Sequence, residues 1–423
     1  MGGRHSSSRW RRLVSSRVLG EPGEPNEKCG RRNAECRGAV RSTWYRFDPQ
    51  PAIPHSAFHI SRLKILIAGG GTGGHLMPAL ALARVVADQG HEVELVGAAR
   101  GIESQILPRH PFPFHLLPME PLYRRAWWRN VRWPVIAVHA WRAAGRVLQV
   151  AKPAIVIGTG GYAAGPIVWR AQRARIPTAL QEQNAFPGLT TRALARRARQ
   201  VHLGFPEARL RLRPGPQTQV FVFGNPITPP GRVDAAVART EFGLTGARPT
   251  VFVFGGSQGA RALNETVARG LQRGLLGDVD VLWGTGTAHE ERYAPLAVPG
   301  RVVVRGFFDP IGTAYAAADL VVARAGAMTV AELCAWGKPS ILVPLPTAAA
   351  DHQTFNAQAM AAAGASVMLI EGELAPESLS KTVTSLARDR VRLDALAKSA
   401  RGRGHPNAAR SIVEKILELS QVE

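Results

Sequence analysis

Three glycine-rich stretches carry the residue types in this chain that could do chemistry. GGGTGGH runs from Gly69 to His75 after the apolar stretch KILIA, GTGGYAAGP spans 158–166, and FGGSQGARALN spans 254–264. Glycine in such a turn lets backbone N–H groups approach a phosphate, and the N-terminus of a following helix adds partial positive charge. One dinucleotide needs one such loop. Three, spread over two halves of the chain, fit a cleft that handles two phosphorylated ligands. The competing reading is that the glycines only let helices pack closely on strands.

Gly69-x-Gly71-x-x-Gly74 has the form of a dinucleotide fingerprint, which also asks for an acidic residue near the end of the next strand. That strand, HEVELV, runs into Gly97-Ala98-Ala99-Arg100 with no carboxylate. Arg100 would suit a 2′-phosphate, so an NADP-linked oxidoreductase stands as an alternative.

Candidate acid–base groups lie beside the loops. His75 opens the helix after the first loop, where the helix dipole disfavours an imidazolium and favours a neutral, basic ring. Its other reading is a histidine that caps the helix or orients the loop. Glu182 is the only acidic residue between Glu120 and Glu207; it is a second candidate base, or a counter-ion for nearby arginines. In RAGAMTVAELC, 324–334, the spacing Thr329-x-x-Glu332 fits a capping box, which accounts for both side chains without a ligand.

The elements that must position these groups are legible as a pattern. Short β-branched runs alternate with helical stretches: KILIAGG, then a helix over 75–88; EVELVG; AIVIGTGG, then 165–174; TALQEQ, then 188–198; QVHLGF; VFVFGNP. The series restarts with TVFVFGGSQGARALNETVARGL and continues through DVLWGTG, VVVRGF, DLVVARAGAMTVAELCAWG, SILVPLP and DHQTFNAQAMAAAG. Such alternation predicts α/β architecture with parallel sheets covered on both faces. The loop GNPITPPGRVD, 224–234, separates the two series, so the expected domains are 61–228 and 229–423. Residues 1–60 are rich in Arg, Ser, Gly and Pro without sustained periodicity. They read as a disordered extension, or as translation from an upstream start.

Composition narrows the function classes. The chain has 423 residues, 45% hydrophobic and 20% charged, which is ordinary for a globular protein. Apolar runs fall short of the roughly 18 residues that a spanning helix needs. Three cysteines without a C-x-x-C pair argue against a disulfide framework or a structural zinc site. Net charge is +22, and residues 121–206 carry fourteen Lys and Arg against the single Glu182. That imbalance points to an anionic partner. YRRAWWRNVRWPVIAVHAWRAAGR, 123–146, holds four of the nine tryptophans and six arginines. Trp suits a membrane interface and Arg pairs with anionic headgroups. Basic residues among aromatics also fit nucleic acid, but no nucleic-acid module is recognisable, and no nucleic-acid partner is expected.

Taken together, GGTGGH (70–75), GGYAAGP (160–166), EQNAFPGLTTR (182–192), FGNP (223–226), GGSQGAR (255–261), RAGAMTVAEL (324–333) and DHQTFNA (351–357) resemble one family. It is the membrane-associated N-acetylglucosaminyltransferases of bacterial peptidoglycan synthesis, and the likeness covers about residues 61–420. The resemblance implies two Rossmann-like domains facing a cleft, the GT-B type. It implies transfer of GlcNAc from UDP-GlcNAc to undecaprenyl-pyrophosphoryl-MurNAc-pentapeptide, with inversion, at the cytoplasmic face of the bacterial inner membrane. Another UDP-sugar glycolipid transferase is the nearest rival reading.

Carried across by position, the resemblance places Thr72, Gly73 and Gly74 against the donor sugar or phosphate and Asn184 on the sugar. Ser257 would bond the pyrophosphate and Phe308 would meet the uracil. Ala327, Met328, Thr329, Val330, Ala331 and Glu332 would form the nucleotide cradle, Glu332 accepting from the ribose hydroxyls. Gln353 would read the GlcNAc hydroxyls, and Gly160, Gly161 and Tyr162 would lie on the acceptor side. The family usually has arginine where this chain has Thr228, which cannot supply a guanidinium. No cofactor and no tightly bound metal are expected, since loop N–H groups can stabilise the leaving diphosphate.

Overall fold

The computed structural model describes residues 62–120, 127–256 and 259–420. The extension 1–60 and Ser257 therefore lie outside the described residues.

The first sheet is built from β1 (Lys64–Ala68), β2 (Glu92–Ala98), β3 (Phe114–Leu117), β4 (Ile155–Gly158), β5 (Thr178–Glu182), β6 (Gln200–Leu203) and β7 (Gln219–Val222). The second holds β8 (Thr250–Phe254), β9 (Asp280–Gly284), β10 (Val302–Arg305), β11 (Leu320–Ala323), β12 (Ser340–Leu342) and β13 (Val367–Met368). Their orders are β3-β2-β1-β4-β5-β6-β7 and β10-β9-β8-β11-β12-β13. Pairing is parallel within both sheets. Central strands such as β1, β4 and β8 are buried almost throughout, as expected of parallel strands with helices on both faces.

In both sheets the strand order reverses at one point, between β1 and β4 and between β8 and β11. Ligands in open α/β sheets bind at that reversal, beyond the strands' carboxyl ends. The loops that leave these four strands are Gly69–Thr72, Thr159–Gly160, the 255–260 loop and Arg324–Gly326. Thus every glycine loop singled out in the sequence lies at a topological switch point.

Two strands were not anticipated. β3 and β13 are edge strands of four and two residues, and neither shows a buried alternation. The expected helix over 165–174 starts earlier, at Gly161, and runs through Pro166 to Arg173. The helix Gly73–Asp88 likewise carries Pro78 inside it. A proline cannot donate to the carbonyl four residues back, so the carbonyls of Gly74 and Tyr162 have no intrahelical donor from it.

The C-terminal helix departs from the simple division at 228. Ala408–Leu417 buries Ala409, Ile412, Val413 and Ile416 among Ile65, Leu76, Ala79 and Val93 of the first lobe. Ile412, Val413 and Ile416 each contribute about 1.5–3 kcal/mol on burial. Gln200 Nε2 also donates to the Lys415 carbonyl at 3.0 Å. The end of the chain thereby straps the second lobe to the first.

Candidate functional site

The first and second glycine loops lie on one another. Gly71, Gly160 and Gly161 all have positive φ, at 93°, 93° and 76°. A Cβ on Gly161 would stand 1.8 Å from the Gly70 carbonyl oxygen, and one on Gly160 would stand 2.8 Å from His75 Nδ1. Only glycine meets both demands at these positions. The Tyr162 ring fills the space beside Gly71. Glu103, fully buried, accepts the Gly71 N–H from below. Burial pushes its carboxyl above the usual range.

His75 sits where the loops cross. Its Nδ1 is 3.1 Å from the Thr159 carbonyl oxygen and 2.9 Å from Gln183 Oε1. Both partners are acceptors, so Nδ1 carries the proton and Nε2 carries the lone pair. The helix begins at Gly73 after Thr72, whose side chain makes no capping bond. The His75 and Leu76 N–H groups donate to the Thr72 carbonyl, so the N–H groups of Gly73 and Gly74 are the ones an anion could take. A Cβ on Gly73 would meet nothing within 4 Å, so that glycine fronts open space.

Glu182 has a different setting. One carboxylate oxygen accepts the Asn184 N–H at 3.1 Å and Asn184 Nδ2 at 3.3 Å, and the other accepts the Gly188 N–H at 3.0 Å. The group is buried and occupied in holding the 184–188 loop. Asn184 Oδ1 in turn accepts from Asn356 Nδ2 at 3.2 Å.

Asn356 and Asn225 join the lobes. Asn356 Oδ1 accepts the Ala185 N–H at 2.9 Å, and its Nδ2 donates to Ala325 O at 3.1 Å. Asn225 Nδ2 donates to Gln183 O at 2.9 Å and to Ala327 O at 3.3 Å. Phe186 stacks on Phe355 with centroids 4.8 Å apart, and Arg211 lies over both rings. The 70–75 loop and the 324–332 turn are thus linked through Gln183 and Asn225. Burial holds the ring of His352, on the second lobe, below the usual histidine range, with the nearby Glu182 carboxylate opposing the shift. The sequence reading passed over His352, Gln183, Asn225 and Asn356, although all stand inside motifs it quoted. Glu103 had no sequence signal.

The second-lobe turn corrects the capping-box reading. The helix Ala327–Trp336 starts after Gly326, with no side-chain cap. Thr329 is its third residue and cannot be the residue that precedes it. Glu332 instead accepts from Tyr315 O–H at 2.9 Å, and burial raises its carboxyl. Ala327 and Val330 are buried in the second-lobe core, while Met328, Thr329, Ala331 and Glu332 are half-buried. The adjacent Arg324, 7% exposed, donates to Val343 O and Pro344 O and pairs with Glu371.

Phe308 does not offer its ring face. It is 3% exposed, set edge-on against Phe242 and Phe252, with Arg305 above it. Core packing took this side chain, and its neighbour Phe307 is 53% exposed instead. Gln353 is half-buried, its amide oxygen taken by the Leu345 N–H at 3.0 Å, which leaves the amide nitrogen as donor. Thr228 is exposed in the linker after β7. Among the described residues no group of three or more His, Cys, Asp or Glu could hold a metal ion.

Comparison with known proteins adds to this geometry. Residues 65–203 match the glycosyltransferase family 28 N-terminal domain, and 250–415 match the family 28 C-terminal domain. A protein of Chlorobaculum parvum named UDP-N-acetylglucosamine–N-acetylmuramyl-(pentapeptide) pyrophosphoryl-undecaprenol N-acetylglucosamine transferase is 41% identical over 85% of this chain and 100% of its own. A protein of Myxococcus xanthus with the same name is 40% identical over 84% of this chain and 93% of its own. The crystal structure of Acinetobacter baumannii MurG superposes with a TM-score of 0.70 at 30% identity, covering 84% of this chain and 99% of that one. The calicheamicin glycosyltransferase CalG4, at 17% identity and a TM-score of 0.61, shares the fold. The two parallel-sheet lobes are those of the GT-B architecture.

Proposed function

The chain belongs to glycosyltransferase family 28, and from that premise we propose the reaction and the roles of its residues. It is a UDP-GlcNAc-dependent N-acetylglucosaminyltransferase that acts on undecaprenyl-pyrophosphoryl-MurNAc-pentapeptide, adding GlcNAc to the MurNAc unit for peptidoglycan.

His75 is the general base. The observation that carries this is its Nδ1, held by two oxygen acceptors, which leaves Nε2 as the proton acceptor at an uncapped helix N-terminus. Nε2 takes the proton of the acceptor hydroxyl as that oxygen attacks the anomeric carbon. The reaction is one in-line displacement through an oxocarbenium-like state. N–H groups at Gly73 and Gly74 face the donor sugar or phosphate, and those opening the Ala327–Trp336 helix face the diphosphate, whose charge rises as it leaves. Glu332 accepts from the ribose hydroxyls, oriented by Tyr315. Gln353 donates to the sugar. Phe308 serves through its backbone in the loop after β10, and Gly160, Gly161 and Tyr162 shape the acceptor side. Glu182 holds the 184–188 loop, a reading its three donors favour over that of a base. Ser257 is carried only by the family resemblance.

The first lobe docks on an anionic membrane. The helix Trp133–Ala151 and the turn before it expose Trp128, Val131, Val135 and Val138, with Arg132, Arg142 and Arg146 also exposed. Arg170 lies over Trp141 at 4.6 Å in the groove beside them. No helix among the described residues is long and apolar enough to cross a membrane. Such a face suits a peripheral protein that meets a lipid-borne acceptor.

The deciding experiment is transfer of labelled GlcNAc from UDP-GlcNAc to a polyprenyl-pyrophosphoryl-MurNAc acceptor, with UDP-glucose and UDP-galactose as competitors. Product with UDP-GlcNAc alone supports the reading. Preferred use of another UDP-hexose would replace it.

A further inference from the structure

We propose that Gln183, Gln181 and Asn225 form a buried chain of amides that fixes the tautomer of His75, and that all three are positioning residues for the transfer. The proposal rests on His75 as the base and adds the groups that keep it one.

The chain can be read from its fixed end. Asn225 Nδ2 lies 2.9 Å from Gln183 O and 3.3 Å from Ala327 O. Both are carbonyl oxygens, so the Asn225 NH2 must face them and its Oδ1 must face the other way. That oxygen meets Gln181 Nε2 at 2.9 Å, which sets the Gln181 amide with its own oxygen toward Gln183. Gln183 Nε2 donates to that oxygen and to Thr159 O at 2.7 Å. Gln183 Oε1 is then turned to His75 Nδ1 at 2.9 Å. The side-chain bonds run in one direction, from Gln183 to Gln181 to Asn225, and the Gln183 amide is held further by its donation to the main-chain carbonyls of Thr159 and Gln181.

The consequence falls on the imidazole. Gln183 can present only an oxygen to Nδ1, and Thr159 presents another. A proton on Nε2 instead would leave Nδ1 facing two acceptors with no hydrogen between them. Gln181, Gln183 and Asn225 are 0%, 1% and 2% exposed, so water cannot reorient the amides. Among the described residues, the side chains of Gln181 and Asn225 hydrogen-bond the cleft loops only through this chain and the Ala327 carbonyl. Their conservation of direction therefore acts through His75. Because Ala327 opens the second-lobe helix, the chain also spans the lobe junction.

The test separates tautomer from activity. Nitrogen-15 NMR of the histidine rings, with the His75 signal identified by its loss in His75→Gln, is expected to show Nδ1 protonated and Nε2 bare at neutral pH. Gln181→Met keeps the volume and removes the amide. It is expected to lower kcat about 10-fold or more, to leave KM for UDP-GlcNAc within about twofold, and to give a mixed His75 tautomer. Should that variant fail to fold, Asn225→Leu serves instead, since at similar volume it removes the oxygen that orients Gln181. Wild-type His75 with its proton on Nε2 overturns the proposal. So does a variant whose kcat falls while its tautomer and the acid limb of its pH profile are unchanged, because that is the mark of a merely structural role. If His75→Gln retains full turnover while the tautomer result holds, the base assignment fails and the amide chain stands.

Discussion

The amide oxygen of Asn356 accepts the backbone N–H of Ala185 at 2.9 Å, across the junction between the lobes. The same side chain donates to Ala325 O and Asn184 Oδ1, and it is fully buried. One amide therefore satisfies a loop of the first lobe and the end of β11 in the second. Asn356→Leu would strand a buried N–H and a buried carbonyl, at a cost of about 1–3 kcal/mol for each. Urea unfolding should show a lower midpoint, and a midpoint equal to wild type would mean the lobes do not depend on this contact.

His75 and Glu182 part company under substitution. His75→Ala should lower turnover about 100-fold or more while calorimetry still detects UDP binding. Glu182→Gln replaces one acceptor with an NH2 facing N–H donors, so the 184–188 loop should loosen, KM should rise, and the acid limb of the pH profile should stay in place. An acid limb lost in Glu182→Gln and kept in His75→Ala would exchange their roles.

Tyr315 is fully buried behind Glu332 and donates to it at 2.9 Å. Tyr315→Phe leaves that carboxylate oxygen without its donor, a loss of about 1 kcal/mol. The expected reading is a KM for UDP-GlcNAc raised roughly fivefold with kcat little changed. A change in kcat alone would place Glu332 at the chemical step rather than on the ribose.

Val135 and Val138 are 62% and 47% exposed on the Trp133–Ala151 helix. The pair Val135→Glu, Val138→Glu adds charge to a face argued to meet acyl chains. Flotation with vesicles of anionic phospholipid should fall sharply, while UDP binding is preserved. Unchanged flotation would move the docking surface elsewhere.

His202 gives a pH prediction remote from the cleft. It lies fully buried against Phe221 and Phe223, which also stack on one another, and burial, aided by the Lys415 charge, holds its ring down to about 3 from 6.5. Between those values the unfolded chain takes up a proton that the folded chain refuses. Its contribution to stability is complete above pH 6.5 and falls by roughly 1.4 kcal/mol per pH unit as pH drops toward the folded value. His202→Phe should flatten the stability curve on the acid side. Denaturant melts at pH 4 and pH 7 would check it, and parallel curves for the two proteins would contradict it.

The sequence by itself determined the alternation of strands and helices, the two parallel sheets and the glycine loops at the strand ends. Period and glycine placement are local properties, and β1, β4, β8 and β11 with their loops stand where KILIA, AIVIG, TVFVF and DLVVA put them. The edge strands β3 and β13 escaped because short edges need no buried alternation. What only the tertiary structure decided is where side chains at the strand ends point and what they meet. Phe308 went into the core, Thr329 fell inside its helix, Glu182 was consumed by three loop donors, and the last helix crossed back to the first lobe. The two acceptors that face His75 Nδ1 come from Thr159 and Gln183, residues far from it in the chain. Hydrogen-bond direction depends on which acceptor arrives from another strand, and no local pattern encodes that.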